Sequence, residues 1–339
     1  MTKYLGDINT RARGLRTHLL QPQDFEQLAR AGNLPALHRE LSARGFTRSD
    51  APATPESLER EVRRRAAEQM SVLARWASEG RDAVLAVLLE DEDRRSIQSI
   101  LRGAAKGAAS ESRLSGLVPT KHLSERALRV LATQPTTADV VRMLVLWHHP
   151  FGPPLVPAAS ESHPSLLHLE LALQHAFARR ALERSPEGGA QLVDYVQQVI
   201  DVMNAWSALL HFPERDSSVA DLVFVEGGRW LDRETFEALW SLEHRTDVER
   251  RLALELRASP LHAAFEGKPL ENVTELESAV LQAQIAWQRR SMRLDPAGAA
   301  PIIAFALELR AEVLNLQRIL WGIALEAPAA LIQSELVMA

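Results

Sequence analysis

The side chains best suited to chemistry in this sequence are its histidines and a few acids. His148 and His149 are adjacent, and His168 and His175 are seven residues apart, which places that second pair on one face of a helix. Zinc needs a third and a fourth ligand at fixed spacing, and the sequence has neither an HExxH motif nor a comparable set. We therefore predict no metal site and interpret His148 and His149 as capping or surface residues. A hydrolase that uses His168, His175 and nearby acids is the least favoured alternative.

Phosphate-binding motifs are also missing from the sequence. Lys106 and Lys268 lack the glycine frame and the following Ser or Thr that hold phosphate and metal in a Walker A motif. Gly227-Gly228 lacks the flanking strand and helix of a dinucleotide fingerprint, so we interpret it as a turn. The sequence therefore predicts no nucleotide chemistry, no cofactor and no catalytic residue.

Length and composition restrict the class of protein. The chain has 339 residues, which suggests two or three domains of the usual size of about 100 to 200 residues. Lys and Arg number 39 against 44 Asp and Glu, and the net charge of -5 disfavours binding to nucleic acid. Cysteine is absent, which excludes thiolate metal sites and cysteine nucleophiles and fits a reducing, cytoplasmic setting. No apolar stretch approaches the roughly 18 to 20 residues of a membrane span, and no signal sequence is recognisable near Lys3.

Two half-patterns recur three times in the same order along the chain. The first is a large apolar residue followed by Leu at +3 and +16, and its copies begin 103 and 108 residues apart. The second is an acid followed three places on by a small polar residue and then by apolar residues, and its copies begin 108 and 111 residues apart. The copies of the first are Phe25/Leu28/Leu41, Leu128/Leu131/Leu144 and Phe236/Leu239/Leu252, and the copies of the second begin with Asp93 and Ser96, Asp201 and Asn204, and Glu312 and Asn315.

A period near 110 residues is too long for one supersecondary repeat, because tetratricopeptide and HEAT units have about 34 to 47 residues. We therefore predict three related helical modules around a common axis, at residues 1–104, 105–212 and 213–339. Good helix formers dominate and strand signals are nearly missing, so the predicted fold class is all-α. Two segments depart from this pattern. The proline-rich residues 150–164 predict an ordered loop, and residues 223–231 favour extended structure such as a small hairpin.

The charged residues of these patterns have a structural interpretation. Asp93, Asp201 and Glu312 could act as general acids, but one acid in each module makes a poor active site. Each has its small polar partner one turn away on the same helix face, so we expect the acid to bind a neighbouring helix or an Arg across a module junction. The cluster Arg63-Arg64-Arg65, which acids flank, is interpreted as a solvated face. A triplicated fold with no converging titratable cluster is more often a scaffold than an enzyme.

Three segments of the chain together resemble one protein family. Tyr4, Asn9, Arg11, Arg13 and Leu19-Leu20 resemble the N-terminus of the C subunit of the bacterial and archaeal A/V-type ATPases, which is equivalent to the d subunit of eukaryotic V-ATPases. Residues 224–239 (FVEGGRWLDRETFEAL) are similar to the glycine-glycine segment of that family, and residues 295–336 are similar to its closing helices. The likeness covers nearly the whole chain, although Asp7 stands where the family usually has an aromatic residue.

The resemblance implies a funnel of three helical subdomains that forms a non-catalytic part of a rotor. Such a protein stands on the cytoplasmic side of the membrane proteolipid ring, receives the end of the central shaft and transmits torque. It thereby couples ATP synthesis or hydrolysis to transmembrane transport of protons or sodium ions. The implied partners are the shaft proteins and the ring, with no nucleic acid and with only indirect, peripheral association with the membrane. The alternative from another class is a soluble α-helical scaffold that binds other proteins.

Overall fold

The structure of the chain is a computed structural model that describes residues 5–77, 81–210, 220–266 and 273–338. These residues form α-helices, short 3-10 turns and loops, and they contain no β-strand, which confirms the prediction of an all-α fold. Tyr4, Lys268 and the module boundary predicted between residues 212 and 213 lie outside the described residues.

The helices are, in chain order, α1 (Gly6–Arg16), α2 (Pro22–Ala29), α3 (Leu34–Ala43), α4 (Pro55–Trp76), α5 (Ala83–Ala105), α6 (Ser110–Leu114), α7 (Glu125–Ala132), α8 (Thr137–Leu146), α9 (Gly152–Ala159), α10 (Leu166–Arg184), α11 (Ala190–Leu210), α12 (Ala220–Val223), α13 (Arg233–Trp240), α14 (Arg245–Glu255), α15 (His262–Phe265), α16 (Val273–Leu294), α17 (Ala300–Ala324) and α18 (Ala329–Ser334). Two 3-10 helices follow α10 and α14, at Ser185–Gly188 and Leu256–Ala258.

One series of helices occurs three times. It begins with a helix of 8 residues (α2, α7 and α13), and a helix of 10 or 11 residues follows (α3, α8 and α14). Two long helices then complete the series, of 19 to 22 residues (α4, α10 and α16) and of 21 to 25 residues (α5, α11 and α17). The first half-pattern lies on the short helix and the helix after it, and all nine of its apolar side chains are buried.

The residues before the short helices explain where these helices begin. The side chains of Ser124 and Asp232 accept hydrogen bonds from the backbone N–H groups of Ala127 and Thr235, which caps α7 and α13. Helix α2 begins instead at Pro22, whose missing N–H is not needed in a first turn. The residues before these helices thus set where the helices begin, and the spacing of their apolar residues sets which face is buried.

Contacts within the chain group it into two compact units. The terminal unit contains the described residues between 6 and 136 and between 301 and 338, and the central unit contains Leu5 and the described residues between 137 and 300. In the terminal unit, α1 packs on α4, α5 packs on α6 and α7, and α18 packs on α2. In the central unit, α11 packs on α10, α13 and α14, and the buried rings of Phe224 and Phe236 lie 5.2 Å apart in its core. The division into three modules stays a prediction.

Two predictions of local structure are wrong. Residues 150–164 contain helix α9 rather than only a loop, because Pro153 and Pro154 lie in its first turn, where proline is tolerated. Gly152 lies so close to α8 that a Cβ there would be 2.8 Å from the backbone nitrogen of Val145. Glycine at this position therefore allows α9 to begin directly after a tight turn. Residues 223–231 do not form a hairpin. Helix α12 ends at Val223, and a loop that contains a turn at Gly227 follows it.

Candidate functional site

The six residues of the second half-pattern lie on α5, α11 and α17, and every one of them is at most 3% exposed. A buried polar group destabilises a fold unless it is hydrogen-bonded, so the partners of these side chains indicate their role. Most of the partners lie in three loops that lead into the short helices. We call these loops the α1–α2 connection (residues 17–21), the α6–α7 connection (residues 115–124) and the α12–α13 connection (residues 224–232).

The two asparagines of the set bind backbone in the same way. Asn204 Nδ2 donates to the carbonyl oxygen of Val225 and its Oδ1 accepts from the Val225 N–H, both at 2.9 Å. Asn315 makes the same pair of bonds to Val337, at 2.9 and 2.7 Å. A primary amide carries a donor and an acceptor side by side, so it can satisfy both polar groups of one backbone residue. The two sites therefore use one chemistry in the two units.

The first copy of the half-pattern has no amide at this position. Ser96 stands where the other copies have Asn, and its buried hydroxyl has no hydrogen-bond partner among the described residues. Val118 follows Ser96 by the same 22 residues that separate Asn315 from Val337. The backbone N–H of Val118 instead favours the charged form of Glu92, which lies one helical turn before Ser96 on α5.

The three acids of the set each bond to one connection. Asp201 accepts hydrogen bonds from the backbone N–H groups of Arg229, Trp230 and Leu231 at 3.2, 3.1 and 3.0 Å. Glu312 accepts from the N–H of Leu20 at 2.7 Å, and Asp93 accepts from the hydroxyl of Thr120 at 2.5 Å. The bonds of Asp201 and Glu312 thus go to connections rather than to the helices or arginines that the sequence suggested. A structural role for all six residues stays a prediction.

The glycine pair of the α12–α13 connection allows the chain to wrap around Asp201. Gly227 has a φ of 105°, which residues other than glycine rarely adopt. A Cβ at this position would also lie 2.5 Å from Leu182 Cδ1. A Cβ on Gly228 would overlap the carboxylate of Asp201 and lie 3.3 Å from the carbonyl oxygen of Leu231. The two glycines therefore allow the backbone of the α12–α13 connection to lie close to the Asp201 carboxylate. The turn at Gly227 agrees with the turn predicted from the sequence.

Burial raises the pKa of three acids on α5, α11 and α17. It raises the pKa of Glu312 to about 7, although the Leu20 N–H and Arg65 favour the charged form. It also raises the pKa of Glu92 to about 7, against the opposing effect of Arg95. Burial raises the pKa of Asp201 to about 6, and three backbone N–H groups act in the opposite direction.

A polar cluster in the terminal unit was not found from the sequence. Glu59 on α4 accepts from the Ser115 hydroxyl at 3.1 Å, from the Gly116 N–H at 2.6 Å and from Trp321 Nε1 at 2.9 Å. Gln317 Nε2 donates to the Ser115 hydroxyl oxygen at 2.8 Å. The cluster joins α4 and α17 to the α6–α7 connection. The available signal was an acid beside Leu58 and three residues before Val62, on the apolar side of α4.

The prediction of a solvated arginine face is wrong for Arg63. Its guanidinium is buried, and its Nη1 donates to the carbonyl oxygens of Leu114, by a short bond, and of Leu117 at 3.1 Å. Arg64 does face solvent and pairs with Glu61 and Glu68. Helix α4 packs one member of the cluster inward because successive helical residues point about 100° apart.

The histidines lie apart from these contacts. His168 bonds to Glu161, and His175 bonds to the carbonyl oxygen of Leu222, each at 2.9 Å through one ring nitrogen. His149 is buried and accepts from the Phe151 N–H at 3.2 Å, and His148 adopts a φ of 54° at the end of α8. Among the described residues, no three His, Asp or Glu side chains converge as a metal would require.

Each unit has an open cavity. The cavity of the central unit has a volume of about 740 Å³ and a mostly apolar lining, with His175, Arg179 and Glu226 as its charged or polar residues. The cavity of the terminal unit, of about 440 Å³, borders the Glu59 cluster and contains Arg63 and Trp321 in its wall. Glu226 pairs with Arg233 at 2.7 Å, and Glu59 accepts hydrogen bonds from three donors. In the part of the chain that the structure describes, no helix is long and apolar enough to span a bilayer.

Comparison with known proteins assigns a family. The sequence profile of the ATP synthase (C/AC39) subunit family matches residues 8–335. The chain is similar to a protein of Deinococcus radiodurans whose name describes it as the C subunit of a V-type ATP synthase, with 24% identity over 229 residues. That alignment covers 65% of this chain and 63% of the relative. Because the profile spans nearly the whole sequence, this chain belongs to the ATP synthase (C/AC39) subunit family.

Proposed function

We propose that this chain is a non-catalytic part of the rotor of an A/V-type ATPase, in which it links the central shaft to the membrane proteolipid ring and transmits torque. The observation that carries the proposal is the family match over residues 8–335. The name of the D. radiodurans relative, which describes the C subunit of a V-type ATP synthase, supports it. In this role the chain couples ATP synthesis or hydrolysis to the transport of protons or sodium ions.

The way in which the connections are held supports a mechanical role. A part that transmits torque must resist deformation, and loops are the most compliant parts of a helical protein. Here buried amides and carboxylates of α11 and α17 bond directly to loop backbone, as in the Asn204–Val225 and Glu312–Leu20 pairs. Buried hydrogen bonds of this kind rigidify a core when every partner is satisfied. The structure within each unit therefore suits a stiff adaptor.

The use of the buried acids supports a non-catalytic role. Asp201 accepts from three backbone N–H groups, and Glu59 accepts from three donors of three different types. A general acid or base must instead bind the proton of a substrate. Because the protein itself supplies most of the donors that these carboxylates can accept, we infer a structural role for them and assign ATP chemistry to other proteins of the complex.

The charge of the chain bears on how it reaches the membrane. With a net charge of -5, it is repelled by anionic lipid rather than attracted to it. We infer that it associates with the membrane only through the proteolipid ring, from the cytoplasmic side.

Co-expression with the shaft proteins and the ring of the same organism tests this proposal. Affinity purification of the tagged chain is expected to recover the shaft, and the chain is expected to bind vesicles that contain the ring. Protein-free vesicles of anionic lipid are the control, and they should not bind. Recovery of neither shaft nor ring under these conditions would overturn the proposal and favour a free helical scaffold.

A further inference from the structure

Arg63 of α4 is a buried cation that forms no ion pair with the described residues. It is 5% exposed. Its Nη1 donates to the carbonyl oxygens of Leu114 and Leu117, which are its only hydrogen-bond partners among the described residues. Its Nε is enclosed and has no partner in that part of the chain. The guanidinium therefore has donors that the fold itself does not use.

The buried charge of Arg63 is only partly compensated. A guanidinium has five N–H donors and stays charged in proteins, and a buried charge destabilises a fold unless it is paired or hydrogen-bonded. Burial lowers the pKa of Arg63, and the nearby carboxylates of Glu125 and Glu59 oppose this shift without bonding to the side chain. The bond to Leu114, the last residue of α6, has a structural explanation as a cap of that helix. The unused donors have no such explanation.

A small ligand can reach Arg63 through the cavity of the terminal unit. Arg63 lies in the wall of this open cavity, whose volume is about 440 Å³. Pockets that hold small molecules have volumes of about 300 to 1,000 Å³. The indole of Trp321 forms another part of the wall, where its Nε1 donates to Glu59 at 2.9 Å. The cavity thus combines a buried cation with an aromatic surface.

The charged residues that line this cavity fall into two groups. In the first group the charge already has partners, because Glu125 pairs with Arg129 at 3.1 Å and Glu59 accepts from three donors. The second group has no ion pair with the described residues, and its members are Glu56, Arg60, Arg63 and Glu111. Unpaired charges at the exposed rim are ordinary, but the buried Arg63 is not. Two cations and two anions therefore remain for a ligand.

This balance of unpaired charges decides the class of ligand. An ion of one sign would be attracted by two of these side chains and repelled by the other two. A zwitterion avoids this conflict, because its carboxylate can contact the arginines while its ammonium group faces the glutamates. A guanidinium binds a carboxylate through short, charge-assisted hydrogen bonds, so Arg63 sets the position of the carboxylate end.

We propose that the cavity of the terminal unit binds a small zwitterion, a free amino acid or a short peptide. Its carboxylate lies on Arg63 and Arg60, which are one turn apart on α4, and its ammonium group faces Glu56 and Glu111. The proposal concerns the terminal unit alone and does not rest on the rotor role, so either can fail without the other.

NMR titration of the full chain with three related probes tests the proposal. Glycylglycine is the zwitterion, N-acetylglycine carries only the carboxylate, and glycinamide carries only the ammonium group. The indole N–H signal of Trp321, assigned with Trp321→Phe, reports on the cavity wall. We expect glycylglycine to shift this signal in a saturable manner, and the other two probes to bind at least about tenfold more weakly, because each lacks one charged group.

Substitutions at the exposed rim test the charges without disturbing the bonds of Arg63 to α6. Arg60→Gln and Glu111→Gln should each weaken glycylglycine binding by about tenfold. Arg126→Gln, at an exposed position of α7 outside the cavity lining, is the matched control and should leave binding within about twofold of wild type. Arg63→Lys keeps the buried charge but loses the planar fork, so it should also bind glycylglycine more weakly.

Several results would contradict the zwitterion site. A Trp321 signal that does not move in the glycylglycine titration would overturn the proposal. Binding of N-acetylglycine or glycinamide as tight as that of glycylglycine would also overturn it, and so would equal weakening by Arg60→Gln and Arg126→Gln. Thermal melts of the rim variants, which replace exposed side chains, should match that of wild type and show that any loss of binding is local.

Discussion

The side-chain amide of Asn315 pairs with both backbone polar groups of Val337, and Asn204 pairs in the same way with Val225. Each asparagine lies on a long buried helix, α17 or α11, and each valine lies 21 or 22 residues further along the chain. The side-chain amide of each asparagine therefore holds a segment that is distant in sequence by bonding to the backbone of that segment. The valines contribute burial, since Val225 and Val337 are at most 3% exposed.

Replacing either asparagine by alanine should be strongly destabilising. Asn204→Ala or Asn315→Ala leaves one buried N–H and one buried C=O without a partner, and each such group costs about 1 to 3 kcal/mol. We expect the free energy of unfolding to fall by about 2 to 4 kcal/mol in urea denaturation.

Ser96→Ala is the matched control for this pair, because Ser96 is buried at the corresponding position and its hydroxyl has no partner among the described residues. Its loss should be below about 1 kcal/mol. Equal effects of the serine and asparagine variants would show that the amide contacts contribute nothing of their own.

The close approach at Gly228 gives a steric prediction. In Gly228→Ala, the new Cβ would overlap the Asp201 carboxylate and crowd the carbonyl oxygen of Leu231, so Asp201 must shift and weaken its three backbone bonds. A loss of about 2 kcal/mol or more is expected. Gly14→Ala, in helix α1 with nothing within 4 Å of the added Cβ, should instead be neutral or stabilising by up to about 1 kcal/mol. Thermal melts of the two variants side by side would settle the point, and similar melting temperatures would refute it.

Asp91 gives a prediction of pH dependence, because its pKa is lowered in the folded chain. Burial would raise its pKa, but Arg95 and Arg94, which bond to it at 2.7 Å, hold the pKa below its ordinary value. A lowered pKa stabilises the folded state above the ordinary value of about 3.9, and this contribution is lost as the pH falls through the folded-state pKa. Urea denaturation between pH 2.5 and 7 should therefore show a loss of stability in acid that is smaller in Asp91→Asn. A variant that kept the full acid dependence would contradict this assignment.

Nucleotide binding is a further prediction, which follows from the missing phosphate-binding loop. The purified chain, free of the catalytic head, should neither bind nor hydrolyse ATP. Isothermal titration calorimetry with MgATP is the appropriate measurement, and stoichiometric binding at micromolar ATP would contradict the proposed non-catalytic role.

Sequence patterns predicted a helix correctly where the helix is determined by a buried apolar face or by a capping residue. The spacing of Phe25, Leu28 and Leu41 placed apolar side chains on α2 and α3, and all three are buried. The helix α9 was missed because proline density alone does not show that the prolines fall in a first turn.

Only part of the candidate site could be predicted from such sequence patterns. The half-patterns singled out Asn204 and Asn315, but their partners lie 21 and 22 residues away in irregular loops, and no periodicity marks such loops. Glu59 and Arg63 were missed or misread because their burial depends on α17 and on the α6–α7 connection. Contacts across such distances depend on how whole helices pack.

Coupling in a reconstituted complex tests the central claim most directly. The complete ATPase and a complex that lacks only this chain would be placed in sealed vesicles, and ATP hydrolysis and ATP-driven ion uptake would be measured together. The rotor role predicts that ion uptake is lost without the chain, that hydrolysis by the catalytic head persists, and that adding the purified chain restores uptake. Unchanged ion uptake per ATP hydrolysed in the complex without the chain would contradict the account.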